Sequence, residues 1–167
     1  VFAHITYEIT LSGDDIEADI EKLKPVKWNW QQLLRAIRPH KDKLKFVYLI
    51  GSCSKEGSHE QIINAKILIE RYMGCTVLWN ENCGVDFEDL DAQMNAIEKA
   101  VNRLKQEQII TSPMDDILID VTSGQKPTSI AGALMTINNG FKFQYVQTGG
   151  NYDVKQYDLR QRLDSGE

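Results

Sequence analysis

Phe46-Val47-Tyr48-Leu49-Ile50-Gly51 is the stretch on which the fold turns. An apolar run rich in β-branched and aromatic residues that stops at a glycine has the pattern of a short central strand buried on both faces. Three further runs repeat it: Cys75-Thr76-Val77-Leu78-Trp79 after Gly74, Ile117-Leu118-Ile119-Asp120-Val121 after Pro113, and Phe141-Lys142-Phe143-Gln144-Tyr145-Val146 after Asn138-Asn139-Gly140. Between them the period lengthens. Ile62, Ala65, Ile69 and Tyr72, with Leu68 on the same face, predict a helix over 58–73, with Ser58 and Gln61 as a capping box. Asp86, Glu88 and Asp89 open a second helix over 86–108 that carries Lys99, Arg103 and Lys105 later, the charge order that suits a helix dipole. A third spans 127–138, with Pro127 in its first turn and Ala131, Gly132 and Ala133 as a small-residue face.

Strands alternating with helices make the expected fold α/β: a Rossmann-like three-layer sandwich with a mainly parallel central sheet, strand order 2-1-3-4. The Rossmann-like domain is expected over 45–160, with 1–44 as an extension packed on it and 161–167 as a frayed tail. In the extension, Phe2 to Leu11 has strand-like composition. Gly13 to Lys24 reads as a loop or a short exposed helix, and Trp28 to Arg38 as a helix opening at Asn29 and closed by Pro39. The stripe Trp28, Trp30, Leu33, Leu34 and Ile37 is read as buried against the sheet or a dimer partner rather than lying on a membrane.

Composition narrows the function. The chain has 167 residues, 42% of them hydrophobic, enough for one sizeable core. A net charge of −5 argues against a general nucleic-acid surface, which needs a basic stripe, but leaves room for a local anion site. Cys53, Cys75 and Cys83 form no CxxC pair and no closed disulfide set, as in a reduced cytoplasmic protein. His4, His40 and His59 have no metal-ligand spacing, and no metal or cofactor is expected. No apolar run reaches 18 residues, and the chain opens on Val1, which leaves room for a segment upstream.

In a doubly wound sheet the carboxyl ends of strands one and three flank a crevice. The loops assigned there are Gly51-Ser52-Cys53-Ser54-Lys55-Glu56-Gly57-Ser58 and Thr122-Ser123-Gly124-Gln125-Lys126-Pro127-Thr128. Each is rich in hydroxyls and runs into a predicted helix N-terminus, where amides and dipole favour a phosphate. Gly124 permits close approach of the backbone, and Lys126 supplies one positive charge. Neither loop has Walker A or G-x-G-x-x-G spacing, which argues against a P-loop, nicotinamide or flavin protein. Taken singly, each is also compatible with an ordinary polar connection.

Asp120-Val121-Thr122-Ser123-Gly124-Gln125-Lys126-Pro127-Thr128-Ser129-Ile130-Ala131 resembles the D-x-T-G-G-x-K-x-M-[ST]-x-A signature of CRISPR-associated Rossmann-fold (CARF) domains, and Leu49-Ile50-Gly51-Ser52 resembles their first ligand loop. The likeness covers about 45–150. It departs at Ser123, where glycine is common, and at Thr128, where an apolar residue is common. The resemblance implies a homodimer sharing one cyclic oligoadenylate, with tetra-adenylate favoured by two-fold symmetry. It implies that Gly51, Ser52, Cys53, Ser54, Thr122, Ser123, Gly124, Gln125 and Lys126 contact the ligand, with Asn80 and Glu81 as candidate readers of adenine edges. It also implies an effector outside this chain, such as an N-terminal transmembrane helix before Val1, and a place in the cytoplasm or on the cytoplasmic face of the inner membrane. The expected role is sensing without catalysis. Rival readings are a ring nuclease that cleaves the same ligand and a mononucleotide-binding or transcription-regulatory module.

Overall fold

The computed structural model describes residues 11–24, 29–53, 57–81, 84–110 and 117–158. Helices and short strands alternate in it, and they divide into two compact units, Val1–Gly84 and Val85–Glu167.

In the first unit, helices α1 (Ile16–Leu23) and α2 (Asn29–Ile37) lead through a 3-10 turn at Arg38–His40 to strand β1 (Phe46–Leu49). A second 3-10 turn (Ser58–Gln61), helix α3 (Ile62–Met73) and strand β2 (Thr76–Trp79) follow. β1 and β2 are parallel neighbours, with Phe46 opposite Thr76 and Leu49 opposite Trp79. Gly74 ends α3 in the left-handed region at φ 62°, and its amide bonds to the Glu70 carbonyl.

One apolar core joins the amino-terminal helices to the βαβ segment. Ile16, Ile20 and Leu23 of α1 and Trp30, Leu34 and Ile37 of α2 pack with Ile69, Tyr72, Met73 and Val77. The segment from Gly13 to Lys24 is therefore not a loop or an exposed helix. Its positions 16, 20 and 23 form an i, i+4, i+7 stripe that is buried. The α2 stripe is buried in the same core, as expected, with Leu34 wholly inaccessible. β1 differs from expectation, since Phe46 is 38% exposed and Val47, Tyr48 and Leu49 are only half-buried. Phe2 to Thr10 and Trp28 lie outside the described residues.

Beside this core lies a buried carboxylate. Asp19 has no accessible surface, and it accepts hydrogen bonds from Ser12 Oγ at 2.8 Å, the Gly13 amide at 3.0 Å, Tyr72 OH at 2.6 Å and Lys22 Nζ at 2.8 Å. Burial alone would raise its pKa, but the donors, Lys22 first and then Tyr72, together hold it well below its ordinary 3.8. Burial and then the Asp19 carboxylate push the Tyr72 phenol above its ordinary 10.0.

The open edge of β2 is also closed by a carboxylate. Glu70 accepts the Val77 amide at 3.2 Å and pairs with Lys66, whose ammonium lies 5.7 Å from the centre of the Trp79 ring. The Lys66 hydrogen bond, and after it the Val77 amide, hold the Glu70 carboxyl below its ordinary 4.5.

In the second unit, α4 (Leu90–Gln106) is followed by β3 (Leu118–Asp120), α5 (Lys126–Asn139), β4 (Lys142–Val146) and β5 (Val154–Tyr157). β3 and β4 are parallel, and β5 adds an antiparallel edge that the sequence pattern did not show. The rings of Phe143 and Tyr157 stack at 5.2 Å, and those of Tyr145 and Tyr157 at 6.1 Å, so the pairing is carried by a cross-strand aromatic ladder. α4 begins at Leu90, four residues later than expected. Asp86 accepts the Glu88 amide in a local turn at 2.9 Å, and Asp89 is the residue that caps the helix, accepting the Ala92 amide at 3.0 Å. Val101, Met135 and Phe141 centre a core with Met94, Ile97, Ile117 and Ile119. Gly132 lies against β3 so closely that an added Cβ would fall 2.6 Å from Val121 Cγ1.

Each unit thus holds a small sheet with parallel neighbours, strands one with two and three with four as expected, whereas the pairing of strand one with strand three that the single sheet of order 2-1-3-4 requires is not found among the described residues. No helix among the described residues is long and apolar enough to cross a membrane.

Asp19→Asn removes the charge on which four donors converge. It is expected to cost about 1.5–3 kcal/mol, the range for a hydrogen bond to a charged group, read as a fall in the urea midpoint at pH 7. Because the folded pKa is depressed, the stabilisation from Asp19 is complete above 3.8 and is lost as the pH falls below that value toward the folded pKa. The stability difference between wild type and Asp19→Asn is therefore expected to narrow only in acid.

Candidate functional site

The two loops singled out by sequence are both at the carboxyl ends of strands, and their chemistry differs. In the first unit the chain leaves β1 through Gly51, whose amide donates to Asn80 Oδ1 at 3.3 Å. Asn80 stands just past β2, and its own amide bonds to the Leu49 carbonyl at 3.4 Å. A Cβ on Gly51 would fall 2.6 Å from His59 Cα and 2.7 Å from Ile62 Cδ1, so the turn needs glycine for space.

Ser52 and Ser58 then close the loop reciprocally. The Ser52 amide donates to Ser58 Oγ at 3.0 Å, the Ser58 amide to Ser52 Oγ at 2.9 Å, and the His59 amide to the Ser52 carbonyl at 3.2 Å. This replaces the expected capping box. Gly57 occupies the N-cap position without a side-chain cap, and the Ser58 hydroxyl reaches back across the loop instead of toward Gln61. The amides of Gly51, Ser52, Ser58 and His59 are therefore engaged within the protein. Cys53 and Glu81 are exposed, and Ser54 lies outside the described residues.

In the second unit a carboxylate organises the loop. Asp120 Oδ1 accepts the Thr122 amide at 3.0 Å, and Oδ2 accepts the Thr122 hydroxyl at 3.1 Å and the Gln144 side-chain amide at 2.9 Å. The Thr122 hydroxyl in turn accepts the Val146 amide at 2.9 Å. Thr122 thereby rivets the loop to β4, a positioning task, while Ser123, Gln125 and Lys126 are exposed. Gly124 turns the chain, its amide bonding to the Val121 carbonyl at 3.3 Å. A Cβ there would fall 2.2 Å from Thr128 Cβ. α5 begins at Lys126, one residue earlier than expected, and its N-cap residue Gln125 makes no side-chain cap. The first turn of this helix consequently faces out uncapped, beside an ammonium and a serine hydroxyl, an arrangement that favours an anion.

The units share one further property. Near the start of each helical segment that follows a loop, a buried polar atom has no hydrogen-bond partner among the described residues: His59 Nδ1 behind Gly51, and Thr128 Oγ1 behind Gly124. Among the described residues, no cluster of His, Cys, Asp and Glu is arranged to hold a metal ion. Reading the sequence alone gave Ser58 the wrong partner and missed Asp120 and Gln144 as residues that shape the second loop. Asp120 carried a signal as the one charged residue of an apolar run, and Ser58 carried one that was read as a capping box, whereas Gln144 carried none.

No family model matches the chain, and no solved structure matches it. An uncharacterized protein of Aquifex aeolicus (strain VF5) is 34% identical to it over 141 residues, which make up 84% of this chain and 44% of that protein. The chain spans less than half the length of that relative.

Two substitutions test the second loop. Thr122→Val removes both hydroxyl bonds and is expected to destabilise the protein by about 1 kcal/mol and to speed amide exchange at Val146, whereas Thr122→Ser preserves both properties. Thr128→Val replaces a buried hydroxyl that has no partner among the described residues with a methyl of similar shape. It is expected to raise the thermal midpoint by the equivalent of about 1 kcal/mol, and a fall in the midpoint would show that the hydroxyl is paired in solution.

Proposed function

We propose that this chain is a sensor domain for a cyclic oligoadenylate, of the CARF type and Rossmann-like three-layer fold, acting as a homodimer in a CRISPR antiviral system. The observation that carries the reading is the uncapped N-terminus of α5, entered through Gly124 and flanked by exposed Ser123, Gln125 and Lys126. A phosphodiester asks for that combination: the first-turn amides of Lys126 and Thr128, on either side of Pro127, which has none, without side-chain capping, together with a single cation and close approach of the backbone. Support also comes from the D-V-T-S-G-Q-K run itself, whose aspartate and threonine fix the loop while the residues after them face outward.

In this reading Ser123, Gly124, Gln125 and Lys126 hold phosphate and ribose, and Thr122 positions them. Gly51, Ser52, Cys53, Ser54, Asn80 and Glu81 make up the rest of the ligand set. The ring favoured is tetra-adenylate, and no chemistry is assigned to the site. The signal passes to an effector segment outside residues 1–167, such as a transmembrane helix that would hold the domain at the cytoplasmic face of the inner membrane.

Calorimetric titration with cyclic tri-, tetra- and hexa-adenylate tests the proposal, followed by chromatography of the recovered ligand. Binding of tetra-adenylate with intact ligand recovered is the expected result, and no binding of any ring overturns it. Linear products would make the protein a ring nuclease. Lys126→Ala is expected to weaken binding by about 1–3 kcal/mol, as for a lost charge-assisted hydrogen bond, with the thermal midpoint unchanged.

A further inference from the structure

The chain passes from α2 into β1 through Arg38-Pro39-His40-Lys41-Asp42-Lys43-Leu44-Lys45, which holds four cations and one anion in a protein of net charge −5. Hydrogen bonds and packing hold this turn in place. The Lys43 and Leu44 amides both donate to the His40 carbonyl, at 2.9 and 2.8 Å. Leu44 packs against the core of the first unit, and the Lys45 carbonyl accepts the Thr76 amide at 3.0 Å. The segment is therefore fixed at the amino ends of β1 and β2, whereas Gly51 and Asn80 stand at their carboxyl ends.

The charge of this turn is not neutralised locally. Elsewhere in the first unit Lys22, Lys24, Lys66 and Arg71 pair with carboxylates, and Arg38 reaches Glu17. Lys41, Lys43 and Lys45 are exposed and have no ion-pair partner among the described residues. Their Cα atoms span at most about 14 Å, so the three charges act as one patch. An apolar group stands beside them. Phe46, 38% exposed at the start of β1, is the one aromatic among the exposed large hydrophobic side chains of the described residues.

We infer that this end of the first unit rests on a membrane surface rich in anionic lipid, with Lys41, Lys43 and Lys45 against the phosphate headgroups and Phe46 entering the interface beside them. Charge complementarity selects an anionic partner, and the form of the patch selects a surface. A nucleic acid asks for cations along a stripe or for successive aromatic platforms, whereas this patch is one turn with one ring. Charges of the chain farther than about 8 Å from the headgroups are screened at physiological salt, so the net negative charge does not cancel what the turn attracts. Each lysine near an anionic surface enriches the protein there about five-fold, and three together about 100-fold. That is too weak to anchor a protein alone and strong enough to orient one that is already tethered. The inference rests on the proposed function for the tether, and it adds the side of the unit that meets lipid, with the loop after β1 turned away from it.

Flotation of residues 1–167 with vesicles of phosphatidylcholine and phosphatidylglycerol, against vesicles of phosphatidylcholine alone, tests the inference at low ionic strength. Binding to the mixed vesicles is expected to rise with their phosphatidylglycerol content and to be lost in high salt. Lys41→Glu, Lys43→Glu and Lys45→Glu combined is expected to weaken it about 100-fold with an unchanged far-ultraviolet circular dichroism spectrum, and Phe46→Ser to weaken it several-fold. Lys99→Glu with Lys105→Glu, two exposed lysines of α4, is expected to leave it within about two-fold of wild type. A wild type that does not float with the mixed vesicles overturns the inference, as does a folded triple or Phe46 variant that floats undiminished, or release caused by the α4 pair. So does tighter binding to single-stranded RNA than to the mixed vesicles at equal phosphate. If the triple variant unfolds, Lys43→Gln with Lys45→Gln takes its place under the same criteria. Flotation by a protein that binds no cyclic oligoadenylate would sink the ligand reading and leave this one standing, and the reverse result would sink this one alone.

Discussion

The second unit depends on the carboxylate of Asp120. It stands where β3 ends, and it holds the backbone and hydroxyl of Thr122 together with the side chain of Gln144 on the neighbouring strand. Gln144 is 3% exposed, so an acceptor for its amide is required where it lies. With Thr122 fixed, its hydroxyl meets the Val146 amide, and the chain turns through Gly124, close against Thr128, into α5. Gly132 then seats the helix against Val121 and Ile119. Loop, helix and strand are in this way consequences of one hydrogen-bonded hub, and the uncapped first turn of α5 inherits its direction from it.

The first unit solves a similar problem by closure. Its serines bond to each other's amides, so the loop after β1 is held shut by its own residues and by Asn80. The difference matters for function. A hydroxyl-rich loop offers amides to a ligand only if they are not already engaged, and in the first loop those of Gly51, Ser52, Ser58 and His59 are.

Much of the architecture was legible from side-chain periodicity. The four apolar runs became β1 to β4, although β1 and β3 are not fully buried, and the Ile62, Ile69 and Tyr72 stripe became α3, because that helix is fixed by the face it buries. α1 was obscured by Asp19, a carboxylate among Ile16, Ile20 and Leu23 that reads as a solvent-facing residue. Its partner Tyr72 is 53 positions away, and only the folded chain brings them together. β5 was missed because Val154-Lys155-Gln156-Tyr157 offers a single alternation, and the aromatic stacking that stabilises it is on β4. For the candidate site, the loops and their glycines were legible from composition and strand ends. Which hydroxyls serve the fold and which face outward was not, since Ser52, Thr122 and Ser123 are chemically alike until their neighbours are known.

Glu70 carries a consequence of another kind. By bonding to the Val77 amide and drawing Lys66 over Trp79, it places a charged pair along a strand edge that would otherwise offer its backbone to any extended peptide. Added strands, including those of partly unfolded neighbours, meet a carboxylate where they would need a free donor. The same helix that supplies the core of this unit therefore also guards it against fibrous growth, and the hydrophobic content of α3 can be high without that hazard.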